Sequence, residues 1–364
     1  MMIKKPTGAV ALAMLVGGAV FASAAGAASV YTETNSASGN EVQIYQTAAD
    51  GSLTLTSAVS TGGLGTGAGL GNQGALALGE GGRWLYAVNA GSNDISVFAV
   101  SDAGLTLVDR VSSGGTMPIS LTAHEQLLYV LNAGDAGNIT GFRASSAGHL
   151  HAISNSTRAL SSSAAGAAQV GLNGGGDALV VTEKATNRIS TYTLNDNRPT
   201  GPIVHASSGM TPFGFAFDRR DTLLVSEAFG GHAKAAALSS YDLNEAGSLQ
   251  VISGSVPAEQ TAACWVVLAR HGQYAYVTNT GSGTLTGYQV ARSGALTRLN
   301  VSGVSGITGG GPTDAGTSPD GRRLFVLSPS IGQVVEFQVN ADGSLVKLGS
   351  TPGAPATATG VVVR

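Results

Sequence analysis

A short apolar run that ends at a polar residue and a turn recurs seven times along this chain. It reads "VYTETN" from Val30, "LYAVNAG" from Leu85, "LYVLNAG" from Leu128, "LVVTE" from Leu179, "LLVSE" from Leu223, "YVTNTG" from Tyr276 and "LFVLS" from Leu324. A second marker, a glycine turn that leads into another strand, falls at Gly51, Gly104, Gly148, Gly201, Gly247, Gly294 and Gly343. The successive separations are 53, 44, 53, 46, 47 and 49 residues. A near-regular period of this length is that of a four-stranded propeller blade, whereas β-helix rungs are shorter and a two-sheet sandwich has no reason to repeat seven times. The expected fold is all-β, a seven-bladed propeller of four-stranded antiparallel blades.

Within one period the runs are short and bounded by Gly, Asn, Asp and Ser, the residues that supply positive φ and local side-chain hydrogen bonds to turns. The period around Tyr129 gives an inner strand over 119–122, then strands over 127–131 and 139–143, and an outer strand from Leu150. The first blade begins at its second strand, and the chain ends in "PATATGVVVR", which resembles an inner-strand entry. Residues 359–363 are therefore expected to complete the first blade and close the ring, leaving no exposed sheet edge.

Fifty-three glycines against 11% charged residues fit many tight turns and few surface helices. Residues 1–27 read as an export signal, with Lys4 and Lys5 ahead of "GAVALAMLVGGAVF" and the small-residue stretch "ASAAGA". The expected domains are this leader and a single propeller over 28–364. Export implies a secreted or periplasmic protein that meets a membrane only through its leader. Removing Lys4 and Lys5 takes the formal charge from -3 to -5, which excludes bulk attraction to nucleic acid. The single cysteine, Cys264 in "AACWVVLA", excludes an internal disulfide and reads as a buried thiol. "GGLGTGAGLGNQG" from Gly62 has no helix after it to bind phosphate, and His149 with His151 alone is a thin metal signal, so no cofactor or metal is expected. A monomer is expected.

"YVTN" at 276–279 and "SPDGRRLFVLS" at 318–328, with the seven turns, resemble the YVTN-type propellers and the seven-bladed lactonase family, which includes 6-phosphogluconolactonase and carboxymuconate-lactonizing enzymes. The resemblance spans nearly all of the chain after the leader. It implies water addition to a lactone at the mouth of the central channel, with histidine carrying the proton and arginine holding an anionic group. Where such proteins write "PHAHQV", this chain has "AGAAQV", so Gly166 and Ala168 stand at the two histidine positions. Where they write "GPRHLAF", it has "TPFGFAF", placing Phe213 at the arginine and Gly214 at the next histidine.

Blade topology brings inner-strand entries and the loops after second strands to the channel faces. That collects Glu227 and Glu183 as candidate catalytic carboxylates on adjacent blades, with Gln169, Phe213, His232, Gln260 and Asp314 as candidate ligand contacts. His232 lies in "EAFGGHAKAAALSS", a longer loop than its counterparts. Two readings remain open: a propeller that handles a small lactone- or sugar-like ligand at the central channel and, if catalytic, hydrolyses a lactone or ester at a reworked site, and a non-catalytic binding or scaffold propeller for a carbohydrate, peptide or envelope partner.

Overall fold

The computed structural model describes Met1, Met2 and residues 28–364; the leader, apart from those two methionines, lies outside the described residues. Seven antiparallel sheets follow one another around a ring. Their inner strands are Thr359–Val363, Leu76–Gly79, Pro118–His124, Ala167–Leu172, Pro212–Phe217, Ala263–Ala269 and Asp314–Thr317, in blades 1 to 7. The expected closure is present, since Thr359–Val363 pairs antiparallel with Ser29–Glu33, setting Val30 opposite Val363 and Tyr31 opposite Val362. Among the described residues no helix is long and apolar enough to cross a membrane.

Burial explains the residue pattern. Second strands such as Trp84–Asn89 and Leu127–Asn132 are buried at every position because neighbouring blades cover both faces, and such strands read as continuous apolar runs. Outer strands such as Leu345–Pro352 are largely open to solvent. The core accordingly lies between blades. Trp84, Tyr86 and Val88 of blade 2 pack with Leu128, Val130 and Phe142 of blade 3, and apolar area removed from water at such seams supplies the main stabilisation.

Two details differ from the sequence expectation. Gly201 is not a turn residue: it sits inside the outer strand Arg198–Ala206, and the blade 4 turn is made by Asp196 and Asn197, both at positive φ. Asp and Asn tolerate the left-handed region, so a two-residue hairpin forms there without glycine. Measured from Asn197, the spacings on either side become 49 and 50 residues. The blade 3 outer strand is broken into Leu150–Ala152 and Arg158–Ala159, and in the gap Ser156 Oγ accepts from the Gly141 N–H at 3.0 Å. Blade 6 repeats the device with Ser305 Oγ accepting from Gly287 N–H, also at 3.0 Å.

Candidate functional site

Inner strands begin at the same end of the ring, where the connections from preceding outer strands also arrive. The glycine-rich segment after blade 1 crosses this end at the axis. The Asn72 amide donates to Ile119 O of blade 3, accepts from Thr359 Oγ1 of blade 1 at 3.0 Å, and its carbonyl accepts from Trp265 Nε1 of blade 6 at 2.5 Å. The Gln73 N–H donates to Ala168 O of blade 4 at 3.2 Å, and its carbonyl accepts from Ser120 Oγ of blade 3 at 2.7 Å. Its side chain pairs with the Val266 main chain of blade 6, Nε2 donating at 3.0 Å and Oε1 accepting at 3.1 Å. Gly74 N–H turns to Asp314 of blade 7. Gln73 Oε1 also lies against Gly214 of blade 5. Asn72 and Gln73 thus meet blades 1, 3, 4, 5 and 6 just ahead of the blade 2 strand they lead into, which places them at the axis.

The plug lies against two of the three positions where the resemblance implies histidine, Ala168 and Gly214, while Gly166, at φ +59°, lies against Ala185. A β-carbon at Gly214 would stand 2.0 Å from Gln73 Oε1, and Ala168 is fully buried with its carbonyl held by Gln73 N–H. The Gln73 amide thus occupies space that a side chain at Gly214 would need. Phe213, at the arginine position, is buried against Trp265, with ring centroids 5.0 Å apart, and carries the Lys184 ammonium 4.6 Å from its ring centre. Lys184 Nζ also donates to Gly71 O. Burial lowers the Lys184 pKa, an effect that nearby Cys264 opposes; burial pushes the Cys264 thiol up to about 11.

Glu183 and Glu227 occupy one structural position. The last residue of the second strand is Glu33, Asn89, Asn132, Glu183, Glu227, Asn279 or Ser328 in blades 1 to 7, and all seven have 0% exposure. In blade 2, Asn89 Nδ2 donates to Ser96 Oγ at 2.8 Å while its Oδ1 accepts from Thr61 Oγ1 at 2.6 Å, tying the third strand to the incoming connection. Glu183 does the same with carboxylate chemistry, accepting from Ser190 Oγ at 2.8 Å, Thr186 Oγ1 at 3.0 Å, and both N–H (3.0 Å) and Oγ of Ser161. The connector that begins at Ser161 is held by that pair of bonds. Glu227 accepts from Gly209 N–H at 2.8 Å, Ser239 Oγ at 2.5 Å and Ser255 Oγ at 2.6 Å. Burial raises the Glu227 pKa against those three hydrogen bonds. The two carboxylates share no partner, so the structure does not bring them together as a pair.

The other sequence candidates separate by role. Gln169 repeats the Gln73 device, its amide donating to Phe215 O at 3.0 Å and accepting from Phe215 N–H at 2.6 Å. Asp314 is buried beside the plug, accepting from Ala315 N–H at 2.7 Å while Oδ2 has no partner. Gln260 lies on the rim, bonded to Ser302 O and Thr284 Oγ1, each at 3.0 Å. His232 is exposed in the loop between Thr222–Glu227 and Ala237–Leu243, which leans on blade 6 through Lys234 N–H to Thr261 Oγ1 at 3.1 Å. Sequence reasoning missed Lys184, Asn72 and Gln73. The usable signal was "NQG", two amides closing a glycine run directly ahead of an inner strand.

The sequence model of the family "Lactonase, 7-bladed beta-propeller" matches residues 20–165. No curated protein matches the chain. Among solved structures, the Pseudomonas aeruginosa periplasmic gluconolactonase PpgL is 16% identical, with a TM-score of 0.68, over 93% of this chain and 99% of that one. A Lactobacillus plantarum protein is 18% identical, with a TM-score of 0.72, over 93% and 99%. A Bacteroides fragilis protein carrying the provisional name 6-phosphogluconolactonase is 18% identical, with a TM-score of 0.71, over 94% and 98%. The chain therefore shares the fold of the seven-bladed lactonase propellers and carries that family's sequence signature over residues 20–165.

Proposed function

We propose that this protein is an exported, non-hydrolytic relative of the lactonase propellers that binds a small lactone- or sugar-like ligand at the plugged face. The observation that carries the reading is the Gln73 amide against Gly214 and Ala168: the axis holds a neutral, fully bonded group where the resemblance implies proton carriers. Proton transfer needs a titratable group within reach of substrate. Glu183 and Glu227 have no exposed surface and point their oxygens at hydroxyls and peptide N–H groups of their own surroundings. Lys184 retains donors beyond its bond to Gly71, since an ammonium has three, and can hold a carbonyl or carboxylate above the plug.

Incubating the purified protein with a panel of aldonolactones and simple esters is expected to give no turnover above the uncatalysed rate. Calorimetric titration should show ligand binding that Lys184→Gln weakens by about tenfold, equivalent to ~1.4 kcal/mol. Glu227→Gln should leave that binding unchanged and shift stability by no more than about 1 kcal/mol, because an amide oxygen still accepts from Gly209 and Ser239. Hydrolysis that disappears in Glu227→Gln would instead support the catalytic reading, which the likeness to a gluconolactonase favours.

A further inference from the structure

The opposite face of the ring, formed by the turns between inner and second strands, carries a different chemistry. Residues 218–221, 270–273 and 318–323 hold five arginines and His271 against three aspartates, in a chain of net charge -3. A cleft of about 160 Å³ opens among these turns of blades 5, 6 and 7, walled by Phe217, Leu268, Thr317 and Pro319, with Arg219 and His271 on its rim. The aspartates are engaged elsewhere: Asp218 with Arg220 Nη2 at 2.5 Å, Asp221 with Gly174 N–H at 2.7 Å, and Asp320 with Ser318 Oγ at 2.6 Å. Among the described residues Arg219 has no carboxylate partner. Instead its Nη2 donates to His271 Nδ1 at 2.9 Å. A guanidinium only donates, so Nδ1 is the acceptor in this contact, and Nε2 is the ring nitrogen left for a bound acceptor. His271 also holds φ +59°, where the matching turn of blade 2 has Gly81 at +65°. A β-carbon is costly there, so glycine would be the easier residue unless the imidazole contributes something.

We propose that this cleft binds a small organic anion, a carboxylate or a phosphate monoester, with Arg219 and His271 N–H groups on its oxygens and Phe217, Leu268 and Pro319 against its carbon atoms. The site is separate from the ligand position at Lys184, since the two lie at opposite ends of the inner strands. Arginine favours planar, two-point recognition of such oxygens, and the apolar walls lower the local dielectric that would otherwise screen it.

The test is calorimetric titration of the purified protein with inorganic phosphate and, separately, with gluconate. A saturable site that needs Arg219 is expected for at least one of the two, beside any gluconate held at Lys184, and which one binds there distinguishes the phosphate from the carboxylate class. Affinity should fall at least about tenfold in Arg219→Gln and in His271→Asn, the latter keeping a residue that tolerates the left-handed backbone, and should be unchanged in Lys347→Gln, an exposed residue on the outer strand of blade 7. Circular dichroism of each variant reports folding independently. No saturable binding of either anion by the folded protein would overturn the proposal, as would binding that survives Arg219→Gln. Loss confined to Lys184→Gln would place the anion on the plugged face and equally overturn it.

Discussion

Replacing Gly214 by alanine is expected to destabilise the protein by about 3 kcal/mol, read as a fall of roughly 5 °C in Tm. The backbone at this position is ordinary, so the cost is purely one of space. The new methyl group would lie 2.0 Å from Gln73 Oε1, 2.6 Å from Cys264 O and 3.0 Å from Trp265 Cα. Two of these are main-chain atoms of a central inner strand, and Ser226 Oγ ties Cys264 O at 2.6 Å to the strand beside it, so that wall has little freedom to retreat. Gln73 is the partner that can give way, but only by leaving Val266.

Gln73→Ala by itself removes two hydrogen bonds to the Val266 main chain and should cost about 2 kcal/mol. In the double variant the alanine at 214 enters part of the space the amide vacated. The combined loss is therefore expected to fall short of the sum of the single losses by at least about 1 kcal/mol, measured as a double-mutant cycle in denaturant midpoints. Strict additivity would mean that Gln73 and Gly214 do not exclude one another, and the structural case against a proton carrier at this place would lapse.

The ring was legible because its cause is repetitive. Each second strand is covered on both faces, so apolar runs recur at the blade period, and the matching of 359–363 to the missing strand of blade 1 follows from pairing the ends of one pattern. Gly201 misled because a turn can be made by any pair that tolerates positive φ; Asp196 and Asn197 do so, and a nearby glycine then marks the wrong residue. The site was harder to read. Glu183 and Glu227 looked chemical because both follow second strands on adjacent blades, yet their hydroxyl partners lie up to 28 residues away, in segments whose meeting only the folded blade reveals. Asn279 and Asn89 stand at the same position, and comparing the seven repeats column by column shows a buried polar residue at every one. The plug was least visible, since its meaning lies in contacts 193 residues away in sequence, between Gln73 and Val266.

Asp314→Asn is expected to change how stability depends on pH. Burial pushes the Asp314 carboxyl from its ordinary 3.8 up to about 8, against the N–H groups of Ala315, Gly74 and Val361 that favour the charged form. The folded protein thus holds a proton that the unfolded chain releases between about pH 4 and pH 8. Stability from this group is fully present below pH 4, declines as pH rises through that window, and levels off above about 8. Each unit of separation corresponds to about 1.4 kcal/mol, so several kcal/mol are at stake across the window. Asparagine is uncharged throughout. At pH 4 the variant should match the wild type or fall slightly below it, because its amide N–H groups replace an oxygen, Oδ2, that has no partner. At pH 8 the variant should be the more stable by on the order of 3 kcal/mol. Glu33, Glu227 and Glu336 are also raised by burial and slope the same way in both proteins, so the difference between the two Tm curves from pH 4 to 9 isolates Asp314. A flat difference would show that Asp314 does not hold its proton in the folded state. A rising one would place the protonated carboxyl where blade 7, the plug at Gly74 and the closing strand at Val361 meet, so that ionisation loads the joint on which both the ring and its axial plug depend.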